Sequence, residues 1–158
     1  MQLNTTNALA SYSTVWGAAV PTSSVFGATV GGLVPASTTG VAYCFAEVAG
    51  YSKVGTYTGN ASTDGAFVYT GFRPAWVMIK GTSASRAWCM WDNKRDSYNV
   101  AIELLMADSD SAGLTSYNID FVSNGFKARA SNTYWNGSSE TYTYIAFAEF
   151  PFKYSNAR

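Results

Sequence analysis

The stretch Gly71 to Asn99, GFRPAWVMIKGTSASRAWCMWDNKRDSYN, decides the fold. In Ala75 to Lys80 the side chains alternate, Trp76 and Met78 on one side and Val77 and Ile79 on the other. A strand that is apolar on both sides is expected to be covered on both sides. Arg86 to Trp91 repeats the pattern, with Trp88 and Met90 opposed to Cys89 and Trp91. The polar run Gly81-Thr82-Ser83-Ala84-Ser85 between them predicts a central hairpin. Pro74 stands just before the first strand, where no ladder N–H is needed.

Composition points the same way. The 158 residues suit a single domain large enough to bury a core without staples. Aromatic content of 16% against 13% charged residues favours sheet over helix. Ten basic and ten acidic residues cancel, which argues against electrostatic capture of nucleic acid. Histidine is absent, so no Ser-His-Asp or Cys-His device can be assembled and the commonest zinc ligand is missing. Cys44 and Cys89 belong to no CxxC pair and each falls in an apolar run, so both are expected as buried, inert thiols. No cofactor or metal site is expected. The start MQLNTT lacks a basic region and an apolar run, and no apolar run is long enough to span a bilayer, so the expectation is folding in a reducing cytoplasm without membrane insertion.

No charged side chain precedes Glu47. Residues 1–40 hold Tyr12, Trp16 and Phe26 among Ser, Thr, Ala and Gly, with Pro21 and Pro35 as breakers. They are expected to form an extended arm, residues 41–158 the sandwich. Either the arm adds outer strands to its own sandwich, or it lies on a neighbouring subunit, where an uncharged backbone can pair with a sheet edge. In the second case Tyr12, Trp16 and Phe26 are its contacts.

Further strands are expected at Val41 to Val48, Ser52 to Thr58, Phe67 to Thr70, Tyr117 to Val122, Phe126 to Ala130 and Thr141 to Glu149. Phe-Ala-Glu occurs at 45–47 and again at 147–149, which would set those two strands side by side. Asn124-Gly125 predicts a hairpin, because both residues tolerate positive φ. Val100 to Ala107 reads equally as a short helix or a buried strand. Asp108 to Gly113 begins like a calcium loop but has Ile119 where a bidentate Glu is required, so a plain turn is expected. Glu47 and Glu149 can be imagined as a carboxylate pair for glycoside hydrolysis, but the clustered acidic strand motif of such enzymes is missing, and no catalysis is expected. Asn4, Asn60 and Asn136 open N-x-S/T triplets that carry no meaning without secretion.

Phe67 to Lys80, Trp91 to Asp96 and Tyr98-Asn99 resemble a domain that recurs in virion proteins of tailed bacteriophages. The likeness extends to Phe45-Ala46-Glu47, Gly50 to Lys53, Gly55 to Asn60, Asp120-Phe121, Ser123 to Lys127 and Ala146 to Glu149, and so runs from Val41 to the end. It implies an all-β antiparallel sandwich, of jelly-roll or concanavalin-like kind, on a virion assembled in the host cytoplasm. A free-standing sandwich behind an arm then resembles a capsid decoration or cement protein, oligomeric as a symmetric trimer or dimer, with capsid or tail proteins as partners. The alternative is a tail-associated module that holds host-surface glycans. For a glycan or a partner the candidate contacts are Trp88, Trp91, Asp92, Lys94, Arg95 and Tyr98, where aromatic faces adjoin carboxylates and cations. The competing reading of Asp92 to Asp96 is a solvated turn whose ions pair among themselves.

Overall fold

A computed structural model describes residues 5–10, 22–27 and 41–150. Among these the chain has eight strands and no helix: β1 (Ser52–Thr58), β2 (Phe67–Tyr69), β3 (Pro74–Gly81), β4 (Trp88–Asp92), β5 (Leu105–Met106), β6 (Ile119–Val122), β7 (Gly125–Ala128) and β8 (Thr141–Ala148). They form a five-stranded sheet, ordered β1-β8-β3-β4-β5, and a three-stranded sheet, ordered β2-β7-β6. Every pairing is antiparallel. The fold is the expected all-β sandwich, with the β3–β4 hairpin at the heart of its larger sheet.

The core follows from period-2 alternation. Val77 and Ile79 of β3, Cys89 and Trp91 of β4, and Tyr142, Tyr144 and Ala146 of β8 are buried on one face of the large sheet. Val68, Phe126, Ala128, Ile119 and Phe121 are buried in the small one. Phe126 meets Tyr57 and Tyr144 edge to face at 5.9 and 5.4 Å between ring centroids, locking the layers together. Three strands cannot cover five, so loop residues Ala87, Ala101, Leu104 and Trp135 complete the core. Trp135 stands edge-on to Trp91 at 5.2 Å, and the Trp91 indole N–H donates to the Tyr117 carbonyl at 2.7 Å.

The two faces of the hairpin differ, contrary to the expectation of equal cover. Val77, Ile79, Cys89 and Trp91 are fully buried, whereas Trp76, Met78, Trp88 and Met90 are half-buried on the outer face.

Residues 41–47 are not a strand, and 45–47 do not pair with 147–149. β8 already has β1 on one side and β3 on the other, leaving no place in the ladder. The chain instead turns back at Val48, which bridges Ser52, with Gly50 at φ +73°. Val41, Tyr43 and Cys44 are exposed, so Cys44 is not the buried thiol expected; both cysteines are free. Val100 to Ala107 resolves as neither a helix nor a full strand. Ala101 bridges Ile119, Leu104 bridges Leu114, and only Leu105 and Met106 pair with β4.

The hairpin at 122–125 forms, but for another reason than expected. Neither Asn124 nor Gly125 takes a positive φ. Gly125 is required by space, because a Cβ there would lie 2.0 Å from the Val68 carbonyl oxygen of the neighbouring β2.

The chain divides into two units, residues 1–9 with 46–158 and residues 10–45. Residues 5–9 of the supposed arm are hydrogen-bonded to the hairpin: the Arg86 N–H donates to the Thr6 carbonyl at 2.8 Å and the Leu9 N–H to the Thr82 carbonyl at 2.9 Å. In the second unit Thr22 Oγ1 accepts the Ser24 and Val25 amides, and Phe26 is half exposed. Tyr12 and Trp16 lie outside the described residues.

Burial also makes the fold sensitive to alkali. It pushes the Cys89 thiol from 9.0 up to about 12 and, ahead of its polar neighbours, the Tyr142 hydroxyl from 10.0 up to about 12. The unfolded chain releases these protons near the ordinary values, the folded one only near 12. Their contribution is therefore complete below pH 9.0 and is lost as pH rises toward about 12. Lys80 opposes it, since desolvation lowers its pKa from 10.5 and its own contribution improves as pH rises. The melting temperature is expected to fall through this window. In Cys89→Ala the starting value is lower but the decline is shallower; equal slopes would exclude the thiol as a source. In urea, Trp91→Ala is expected to cost about 3–5 kcal/mol.

Candidate interaction surface

The outer face of the large sheet carries a continuous apolar feature. Strand register aligns Val54 with Ile145, Ile145 with Met78, Met78 with Met90, and Met90 with Leu105. One apolar row thus crosses all five strands. Val54 and Leu105 at its ends are 40% and 37% exposed, and the three between them are half-buried by their neighbours. Beside it, Trp76 packs on Phe147 at 5.7 Å between centroids, and Tyr51 meets Phe147 edge to face at 6.0 Å. Methionines in such a row adapt to irregular partners.

Lys80, on the same face, is fully buried. Its ammonium donates to the Thr6 carbonyl at 2.8 Å and to the Arg86 carbonyl, and stands 5.6 Å from the centroid of Trp88. A buried cation needs such acceptors. The face is therefore nearly free of unpaired charge. Sequence reasoning missed this role; the available signal was a lysine inside an apolar strand followed by Trp88.

The structure disperses the candidate contacts of the charged turn. Trp91 is fully buried and its indole N–H is already used, so no ligand at the surface can stack on it. Trp88 belongs to the outer sheet face. Asp92 holds the turn: its Oδ1 accepts the Lys94 and Arg95 amides, both at 2.9 Å, and its Oδ2 accepts Arg95 Nε at 2.6 Å. Desolvation pushes the Asp92 pKa up, but those amides and the guanidinium outweigh it and keep it below 3.8. Asp96 Oδ2 accepts the Ile102 and Glu103 amides at 2.8 and 2.7 Å. Most of the charge here is spent on the turn itself, while Lys94 and Tyr98 remain exposed.

The acidic residues with imagined chemistry have structural partners. Glu47 binds Lys53 Nζ at 3.0 Å and accepts the Val54 amide at 3.2 Å; Glu149 binds Arg73 at 2.9 Å. The hydrogen bond from Lys53 lowers the Glu47 pKa, the opposite of what a glycosidase acid needs. Asp108 Oδ1 accepts the Trp88 amide at 2.8 Å, and Ser109 bonds Ser111 within the turn. Asn136, in one of the N-x-S/T triplets, is buried: it accepts the Asn60 amide and donates to the Ser62 and Ala130 carbonyls, at 3.0, 2.9 and 3.1 Å. It pins the 59–65 loop to the 130–140 loop. Among the described residues no cluster of three or more His, Cys, Asp or Glu could hold a metal, and no helix is long and apolar enough to cross a membrane.

Fold and surface together describe a two-sheet sandwich with a closed aromatic core and an apolar outer row. The chain belongs to the family described as a domain of unknown function, DUF7483, which matches residues 1–151. No curated protein matches it, and no solved structure does. The family match takes in residues 1–40 as well as the sandwich.

Asn136→Ala is expected to remove three hydrogen bonds to partly buried backbone groups and to cost about 1–3 kcal/mol in urea unfolding. A loss below about 0.5 kcal/mol would mean that water replaces the amide.

Proposed function

We propose that the chain is an accessory structural protein of a phage virion, a capsid decoration or cement protein held on the shell by its uncharged arm and by one sandwich face. The resemblance of the blocks between Val41 and Glu149 to phage virion domains supports the setting. The single observation that carries the contact is the apolar row from Val54 to Leu105 on the outer face of the large sheet. Burying it against a capsid protein removes apolar area from water, and many copies multiply a modest contact by avidity. The mechanism is stoichiometric adhesion, with capsid or tail proteins as partners and the virion as location.

Met78→Glu and Met90→Glu place a carboxylate in that row while leaving the inner face untouched. Both variants are expected to stay folded and to lose at least tenfold in affinity for capsids lacking the protein, measured by co-sedimentation. Full binding by folded variants would sink the reading. Deleting residues 1–40 is a poorer test, because it strips the Thr6 carbonyl from buried Lys80.

The glycan-binding alternative loses Trp91 and keeps Tyr98, which is 86% exposed beside exposed Lys94. It expects a change in intrinsic fluorescence on a host polysaccharide array that Tyr98→Ala abolishes.

A further inference from the structure

We infer that the outer edge of β1 from Val54 to Thr58 is a homodimer seam, where two copies pair β1 to β1 across a two-fold axis at Thr56. β1 is an outermost strand of the large sheet, bonded to β8 on one side only. The direction of its backbone groups follows from their partners. Ser52 exchanges both of its hydrogen bonds with Val48, on the side away from β8, and the Val54 amide meets Glu47 there. Tyr51 and Gly59 bond to Ala148 and Glu140, on the β8 side. Antiparallel strands alternate, so the backbone N–H and C=O of Thr56 and Thr58 also face outward. Both residues are exposed, and those groups have no hydrogen-bond partner among the described residues.

A second copy fits this edge. With Thr56 opposite its own counterpart, Val54 falls opposite Thr58 of the other copy. Every outward N–H and C=O from 54 to 58 then finds a partner, once the Val54 amide exchanges Glu47 for a carbonyl. No charged residue lies between 54 and 58, so no like charges meet across the axis. Lys53, the residue that would discourage edge pairing, is neutralised by Glu47 and falls opposite uncharged Gly59. The opposite edge, β5, has only two residues and offers no such template. Pairing would join the large sheets of both copies and set their apolar rows on one face, offset across the axis because Val54 of each copy stands opposite Thr58 of the other. The inference does not rest on the shell-binding reading, and it can be tested on protein free of any virion.

In sedimentation velocity the full chain is expected to show a species of twice its 17.0 kDa mass, growing as concentration rises from about 10 µM to about 1 mM. Thr56→Pro is expected to abolish it with the strand signal in circular dichroism unchanged, because the amide removed lies outside the β1–β8 ladder. In a Cys44→Ser background, Thr56→Cys is expected to form a disulfide-linked dimer on mild oxidation, since directly opposed residues stand about 5.5 Å apart at Cα. Tyr98→Cys, equally open to solvent, serves as the control for random collision. A single 17.0 kDa species throughout overturns the inference. So does a dimer that survives Thr56→Pro, or a Thr56→Cys chain that links no faster than the control. If Thr56→Pro does not fold, the cross-link rates decide alone.

Discussion

The structure depends on closing a five-stranded sheet with a three-stranded one. Strand pairing alone leaves part of the larger inner face without a lid, and exposed aromatic side chains there would forfeit much of the burial that stabilises so small a domain. The missing cover comes from loops. Trp135 is the largest of these contributions, edge-on to Trp91 and 5.5 Å from Tyr117 between ring centroids. Loops that supply core residues must be held as firmly as strands, and the polar residues of this protein serve that end.

Two buried polar side chains do most of the holding. Asn136 satisfies three backbone groups of two loops, and the tight approach around it explains its neighbours: a Cβ at Gly59 would lie 2.3 Å from the Gly137 carbonyl oxygen, and one at Gly65 2.6 Å from Asn136 Nδ2. Lys80 does the same at the hairpin end, collecting carbonyls from Thr6 and Arg86. Arg86 turns its guanidinium to Glu140 and to the Thr133 carbonyl, joining that end to the loop that carries Trp135. Charged residues that look available in a sequence are thus largely committed to the fold.

That commitment shapes the functional reading. The charged turn at 92–96 is stabilised by its own carboxylates, and Glu47 and Glu149 are each neutralised locally. The outer sheet face, by contrast, pairs apolar side chains with one another across strands and spends almost no charge. The proposed adhesive contact draws on that face.

Period-2 alternation was enough to determine the fold class, the β3–β4 hairpin, and strands β1 and β8 to within a residue of their ends, because alternation is a local property written directly in residue order. It also showed which side chains share a face. It did not say which face is closed: Trp88 and Trp91 look equivalent in the sequence, yet only the second lies between the sheets. Nor did it reveal that residues 41–47 stay out of the ladder, since that follows from β8 already having both neighbours. The burial of Lys80 and Asn136 and the apolar row from Val54 to Leu105 were likewise decided by tertiary structure. Each depends on segments far apart in the chain being brought into register, and register is set by the whole sheet.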